Sequence, residues 1–225
     1  MKIADSGNLR RILIVEDHPL FRDGLSKAIA TQRGWQICGE VASAPAAMAF
    51  LSQHHVDLAL VDLRLEKSHG LELIKDLQVR FPQVRVLVMS LHDESDYGDR
   101  ALDAGALGYV CKTQGPDVFL QAIRRILDGG TFFSDELRTR RLAQRLKPSS
   151  QPVPTGVELL SDREFEVYEL TGDGQVTAMI AQQLGITPHT VETLRSRIKV
   201  KLGCASTAQL ILHAARWFNR SNHSR

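Results

Sequence analysis

Residues 56–70 read VDLALVDLRLEKSHG, and the point at which the apolar run gives way to Asp62 decides the fold. A short run that is apolar nearly throughout, bounded by polar residues, fits a strand buried on both faces of a parallel sheet. Four more runs have the same form: RILIV (11–15), WQICGEV (35–41), VRVLVM (84–89) and LGYVC (107–111). The segments between them are long enough for helices. Leu20, Phe21, Leu25 and Ile29 share a helical face over 18–32, Leu71, Ile74 and Leu77 over 70–80, and Val118, Leu120, Ile123 and Leu127 over 116–128. Five strands alternating with helices predict an α/β domain, a doubly wound five-stranded parallel sheet with right-handed crossovers.

The strands end alike. The first runs into Glu16 and Asp17, the third into Asp62, the fourth into Ser90 and the fifth into Lys112. In open α/β sheets the carboxyl ends of the strands line the crevice where ligands bind. Three carboxylates meeting there repel one another, and a divalent cation that prefers oxygen, Mg²⁺, relieves the repulsion. A carboxylate beside Mg²⁺ can attack phosphorus and form an acyl phosphate. Lys112 would neutralise the phosphoryl oxygens, and Ser90 would hydrogen-bond one of them. Taken singly, each residue also reads as a helix cap or a solvated strand end; the agreement of four strand ends weighs against that.

With these residues in place, positions 11 to about 130 resemble the receiver domain of bacterial two-component response regulators. The flavodoxin-like family pattern is an acidic pair, a phosphoacceptor Asp, a Ser or Thr and a Lys, matched here by Glu16 and Asp17, Asp62, Ser90 and Lys112. The resemblance implies that the backbone carbonyl of Arg64 completes the Mg²⁺ shell. It also implies that Tyr109 is the aromatic whose rotamer follows the Ser90 hydroxyl, although Tyr109 reads equally as core. Two residues depart from the pattern: Leu91 stands where a small residue is common, and Thr113 where proline is frequent.

Charge divides the chain. Residues 1–137 hold 15 Lys or Arg against 19 Asp or Glu, a net of −4, and residues 138–225 hold 13 against 7, a net of +6. A basic module often meets nucleic acid, though ordinary solvated surface has the same composition. The stretch KPSSQPVPTG (147–156) is free of any periodic pattern and reads as a semi-flexible tether. The expected organisation is a receiver over 1–137, a linker over 138–157 and a smaller all-α module over 158–225.

In that module SDREFEVYELT (161–171) opens on a capping box, Ser161 with Glu164, and buries apolar residues among Phe165, Val167, Tyr168 and Leu170. Residues 177–202 read as helix, turn, helix, with a stop at Gly185, a new cap at Thr187 and Pro188 in the first helical turn. The second helix carries one apolar stripe, Val191, Leu194, Ile198 and Leu202, and leaves Arg195, Arg197, Lys199 and Lys201 elsewhere. Such a helix can enter the major groove of double-stranded DNA, with residues near its N-terminus reaching base edges.

Residues 159–213 resemble the LuxR-type helix-turn-helix of the NarL/FixJ class of response regulators. The resemblance implies that Glu192, Thr193 and Ser196 face bases. Thr190, Arg195, Arg197 and Lys199 are then candidates for phosphate contacts or for ion pairs within the module, with Arg195 or Arg197 on Glu164 as one such pair. Leu194, Met179 and Glu192 depart from the residues usual in the family. A carboxylate at 192 prefers a cytosine amino group to a phosphate. The final helix, 206–218, offers Leu210, Ile211, Ala214 and Phe218, either to a dimer or to the core of the module.

Together these readings imply a two-component response regulator, not an enzyme. Phosphorylation of Asp62 by a histidine kinase would control homodimerisation and DNA binding. An alternative is a phosphorylation-independent DNA-binding regulator that uses the receiver as a dimerisation module. A phosphatase using an aspartyl nucleophile is disfavoured, because Arg64 stands where a second aspartate would act as acid. Apolar runs fall short of a membrane span and residues 1–10 lack a signal-peptide core, so a cytoplasmic protein without a membrane partner is expected. Cys38, Cys111 and Cys204 are far apart and read as reduced packing residues.

Overall fold

The computed structural model describes residues 9–65, 68–146 and 156–223. The chain divides into two compact units, Met1–Arg138 and Thr139–Arg225.

The first unit is built on a parallel sheet of Arg10–Val15 (β1), Trp35–Val41 (β2), Leu58–Asp62 (β3), Arg85–Ser90 (β6) and Gly108–Cys111 (β7), in the order β2-β1-β3-β6-β7. Counting only these five strands, this is the 2-1-3-4-5 order of flavodoxin-like sheets, whose switch point lies between the first and third strands. Central strands are buried on both faces, as their unbroken apolar runs require: Ile12 to Val15, Leu58 to Val61 and Val86 to Met89 have at most a trace of exposed surface. Among the described residues β2 pairs with β1 alone, and this edge strand is of mixed exposure.

Among the described residues, five helices cover the sheet: Pro19–Ala30 (α1), Ala44–Leu51 (α2), Gly70–Arg80 (α3), Glu94–Ala104 (α4) and Pro116–Leu127 (α5). Leu25 and Ile29 of α1 join Phe119, Ala122, Ile123, Ile126 and Leu127 of α5 in a core against β1, β3, β6 and β7. Leu20 corrects the expected α1 stripe, being 87% exposed. At about 100° per residue, Phe21 lies about 40° from Leu25 around the helix, but Leu20 lies about 140° away.

A two-residue ladder, Arg64–Leu65 (β4) with Ser68–His69 (β5), follows the main strand and was not foreseen. It delivers the chain to Gly70, where α3 starts against β3. A Cβ on Gly70 would overlap the Asp62 carbonyl oxygen and come within 2.7 Å of Leu63 Cα. A sixth helix, Asp135–Leu146 (α6), occupies the first part of the segment expected as linker. Its Leu137 is buried in a slot over Gly98 of α4, and Glu94 of α4 accepts the Ser134 N–H at 3.1 Å. The proline-rich part of the expected tether, 147–155, lies outside the described residues.

The second unit contains Asp162–Gly172 (α7), Thr177–Gln183 (α8), Pro188–Leu202 (α9) and Thr207–His223 (α10). The capping box at Ser161 and Glu164 forms as expected. Phe165, Val167, Tyr168 and Leu170 are all buried, with Trp217 of α10 edge-on to Phe165. Leu210 and Ala214 are fully buried, whereas Ile211, one helical step of about 100° away, is 42% exposed.

Candidate functional site

The carboxyl edge of the sheet gathers the strand-end residues. Glu16 and Asp62 follow β1 and end β3, the pair of strands at the switch point, and both are buried. Lys112, one residue past β7, places Nζ 2.5 Å from Glu16 Oε2 and 2.7 Å from Asp62 Oδ2, its side chain only 5% exposed. The ammonium also stands 4.8 Å over the ring of Phe21, which meets Phe119 edge-on. The remaining Asp62 oxygen, Oδ1, accepts the Arg64 N–H at 3.1 Å.

Burial raises the Asp62 carboxyl to about 6, against the pull of Lys112 and with the added push of Glu16. A carboxylate with a high affinity for protons is also basic and nucleophilic, provided a cation holds it ionised.

Glu16, Asp17, His18 and Asp62 each offer one ligand atom, all within 4.8 Å of one another. The three carboxylate oxygens suit a hard divalent ion, whereas the imidazole of His18 is a ligand for softer metals and lies beside that oxygen set. Sequence reasoning missed His18. Its N–H donates to Glu16 Oε1 at 3.0 Å, and its Nδ1 lies 2.9 Å from Asp17 Oδ1. Arg22 was missed too; its Nη1 donates to the Glu16 carbonyl at 2.7 Å. The only signal was their closeness in sequence to the acidic pair, which strand and helix periodicity do not weigh.

Ser90, the last residue of β6, is fully buried and its Oγ accepts the His92 N–H at 3.1 Å. Tyr109 is 4% exposed and donates its hydroxyl to the His92 carbonyl at 2.8 Å. The segment after Ser90 is thus held by both residues expected to act as a switch, and the His92 ring lies 5.0 Å from that of Tyr97 on α4. Leu91 is 51% exposed.

In the second unit, α9 starts on Thr187, whose side chain accepts the Thr190 N–H, with Pro188 in the first turn. Glu192, Ser196 and Arg197 are exposed; Thr190, Thr193 and Lys199 are half-buried. Arg195 is placed otherwise than a phosphate contact requires. It is 7% exposed and donates to Thr171 Oγ1, Thr177 Oγ1 and Glu192 Oε1 at 3.2, 2.8 and 3.2 Å. The pair expected between Glu164 and Arg195 or Arg197 is instead made by Lys201, 2.6 Å from Glu164 Oε2. Six residues separate Arg195 from Lys201, about 9 Å of helix, and α7 passes α9 so that its first turn meets Lys201 and Thr171 near its end meets Arg195. Burial would raise the Glu164 carboxyl, but the hydrogen bonds from Lys201 and Ser161 outweigh it and hold the carboxyl below its ordinary value.

Comparison with known proteins agrees with both halves. The response regulator receiver domain matches residues 12–124, and the domain of bacterial regulatory proteins of the luxR family matches residues 158–214. The transcriptional regulatory protein MctR of Rhizobium johnstonii is 32% identical, over 91% of this chain and 92% of its own length. The transcriptional activator protein ExaE of Pseudomonas putida is 35% identical, over 89% and 93%. Among solved structures, RcsB from Salmonella enterica serovar Typhimurium bound to promoter rprA matches with a TM-score of 0.63 at 22% identity, over 92% of this chain and 99% of that one, a likeness of fold. No helix among the described residues is long and apolar enough to cross a membrane.

Proposed function

The chain belongs to the response regulators that join a receiver to a LuxR-type DNA-binding domain and regulate transcription, and from that premise we propose that Asp62 is the phosphoacceptor controlling its binding to DNA. The observation that carries this reading is the buried trio of Glu16, Asp62 and Lys112, with one ammonium held between two carboxylates.

Glu16, Asp17, Asp62 and the carbonyl of Arg64 would hold Mg²⁺, which shields the carboxylates and the incoming phosphoryl oxygens. An Asp62 oxygen attacks the phosphorus of a phosphohistidine on a histidine kinase. The new O–P bond forms as the P–N bond breaks, and the imidazole leaves with the electron pair and takes up a proton. Lys112 then passes from the Asp62 carboxylate to a phosphoryl oxygen, and the Ser90 hydroxyl donates to another.

Loss of the Ser90 interaction with the His92 N–H frees the segment that Tyr109 also holds, so the switch lies where both side chains meet one backbone. The phosphoryl group shifts the equilibrium because its oxygens are satisfied only in the active arrangement. That arrangement pairs two copies of the chain on double-stranded DNA. Glu192, Thr193 and Ser196 face bases, and Thr190, Arg197 and Lys199 lie near phosphates; the burial of Arg195 assigns it to support of the helix. The functional division is receiver over 1–137, linker over 138–157 and DNA-binding domain over 158–225. The DNA target puts the protein in the cytoplasm.

The test is intact mass after incubation with a small phosphodonor and Mg²⁺, beside Asp62→Asn. One added phosphoryl group on the wild type alone is the expected result. No addition to the folded wild type would overturn the reading in favour of a phosphorylation-independent regulator that uses the receiver to dimerise.

A further inference from the structure

The first turns of α9 present an unusual set of groups for a surface that meets a polyanion. Glu192 is on the exposed side, its side chain 53% accessible, yet one of its oxygens is fixed: Oε1 accepts from Thr177 Oγ1 at 2.8 Å and from Arg195 Nη1 at 3.2 Å. Arg195 is itself held by Thr171 Oγ1, so the clamp is anchored in the core of the unit. The buried guanidinium offsets the carboxylate charge, which would otherwise repel DNA phosphates. Two neighbours point the same way chemically. Thr193 donates its hydroxyl to the His189 carbonyl at 3.0 Å, and Ser196 donates its hydroxyl to the Glu192 carbonyl at 3.0 Å. Both have used their proton within the helix and turn lone pairs outward. The face formed by Glu192, Thr193 and Ser196 therefore accepts hydrogen bonds.

Bases that donate in the major groove are cytosine, through N4, and adenine, through N6. Adenine sets the N7 acceptor beside its amine, where it would face the spare lone pairs of a carboxylate, whereas cytosine has no acceptor on its own edge there. We propose that Glu192 is a specificity-determining residue. Its clamped carboxylate turns Oε2 toward the groove to accept a hydrogen bond from the N4 amine of a cytosine in each half-site. This rests on the reading of α9 as the helix that enters the major groove.

The clamp also dictates what a glutamine would do. Thr177 and Arg195 both donate, so in Glu192→Gln the amide oxygen must take the Oε1 place and the NH₂ must face outward. The outward group changes from acceptor to donor with the helix support intact. The experiment is selection of bound sites from a randomised duplex library by the full-length chain treated with a small phosphodonor and Mg²⁺, run for wild type, Glu192→Gln and Glu192→Ala. Wild-type sites should share a cytosine at one position per half-site. Glu192→Gln should replace it there with guanine or thymine, whose edges accept, and bind the wild-type site about 5- to 150-fold more weakly. Glu192→Ala should lose preference at that position alone. The same site enriched by all three proteins would overturn the assignment while leaving DNA binding by α9 intact. No site enriched by the wild type would overturn the DNA-binding reading, and the assignment with it.

Discussion

Lys112 Nζ lies 2.7 Å from Asp62 Oδ2, both groups buried, so the ammonium proposed to receive a phosphoryl group is already engaged with the carboxylate proposed to carry it. Glu16 shares the same ammonium. One cation against two carboxylates leaves the pocket short of positive charge, which is the electrostatic reason to expect an added cation there.

Lys112→Ala should be costly for the fold. It leaves Glu16 and Asp62 facing each other without their common partner, at a cost of about 3–5 kcal/mol at pH 7.5. At pH 5 the loss should be smaller, because a proton on Asp62 removes the repulsion. Urea denaturation at the two pH values checks this, and an equal loss at both would oppose it.

Asp62→Asn should stabilise the protein at neutral pH. The folded state keeps the Asp62 proton up to about pH 6, while the unfolded chain releases it near 3.8. Between those values folding takes up a proton, so stability falls as pH rises through the window, and the whole cost is present above it. The gain from the substitution at pH 7.5 should reach about 3 kcal/mol at most and vanish by pH 4. Denaturation midpoints of the two proteins across pH 4 to 8 measure it.

Gly70→Ala should damage the site without touching a charged group. The new methyl collides with the backbone at Asp62 and Leu63, which cannot rotate away as a side chain can. A loss of about 1–3 kcal/mol is expected, with slower phosphoryl uptake as the end of β3 shifts. Thermal melting and the rate of mass gain with a small phosphodonor read the two effects. An unchanged rate in a destabilised protein would separate the glycine from the site.

Phe21→Leu should weaken the hold on Lys112. The ring lies under the ammonium and packs edge-on to Phe119, so about 1–2 kcal/mol should be lost. Phe21→Tyr should lose little, since the aromatic face remains. Chemical denaturation of both variants distinguishes aromatic support from simple bulk.

Lys201→Met should loosen the start of α7. The Glu164 carboxyl is held below its ordinary value of 4.5, so its contribution is present above that value and is lost as pH falls through the lower folded one. With Lys201 partly exposed, about 0.5–1 kcal/mol is expected at pH 7 and less below pH 4. The denaturation curve of the second unit, followed through Trp217 fluorescence in a Trp35→Phe background, checks it.

The main sheet was legible because buried parallel strands must be apolar nearly throughout, and four of the five runs stopped at a residue with chemistry. The same reading missed β4, β5 and α6. A two-residue ladder has no periodicity to detect, and α6, DELRTRRLAQRL, is too polar to show a broad apolar face. Leu20 was assigned to the apolar face of its helix on residue type, and helical geometry turns it away; Ile211, left open between a dimer and the core of the module, is exposed.

The sequence by itself determined the α/β fold, the strand-end residues Glu16, Asp17, Asp62, Ser90 and Lys112, and the capped helix pair of the second unit. These follow from local pattern, since burial on both faces and helix caps leave direct marks in residue order. Tertiary structure alone decided which charges met. Lys112 spans Glu16 and Asp62 from positions 96 and 50 residues away. Lys201, not Arg195 or Arg197, reaches Glu164, and Arg195 is drawn inside to fix Glu192. Pairing of charged groups depends on distances between elements and on what burial leaves unsatisfied, and neither quantity is written in the order of residues.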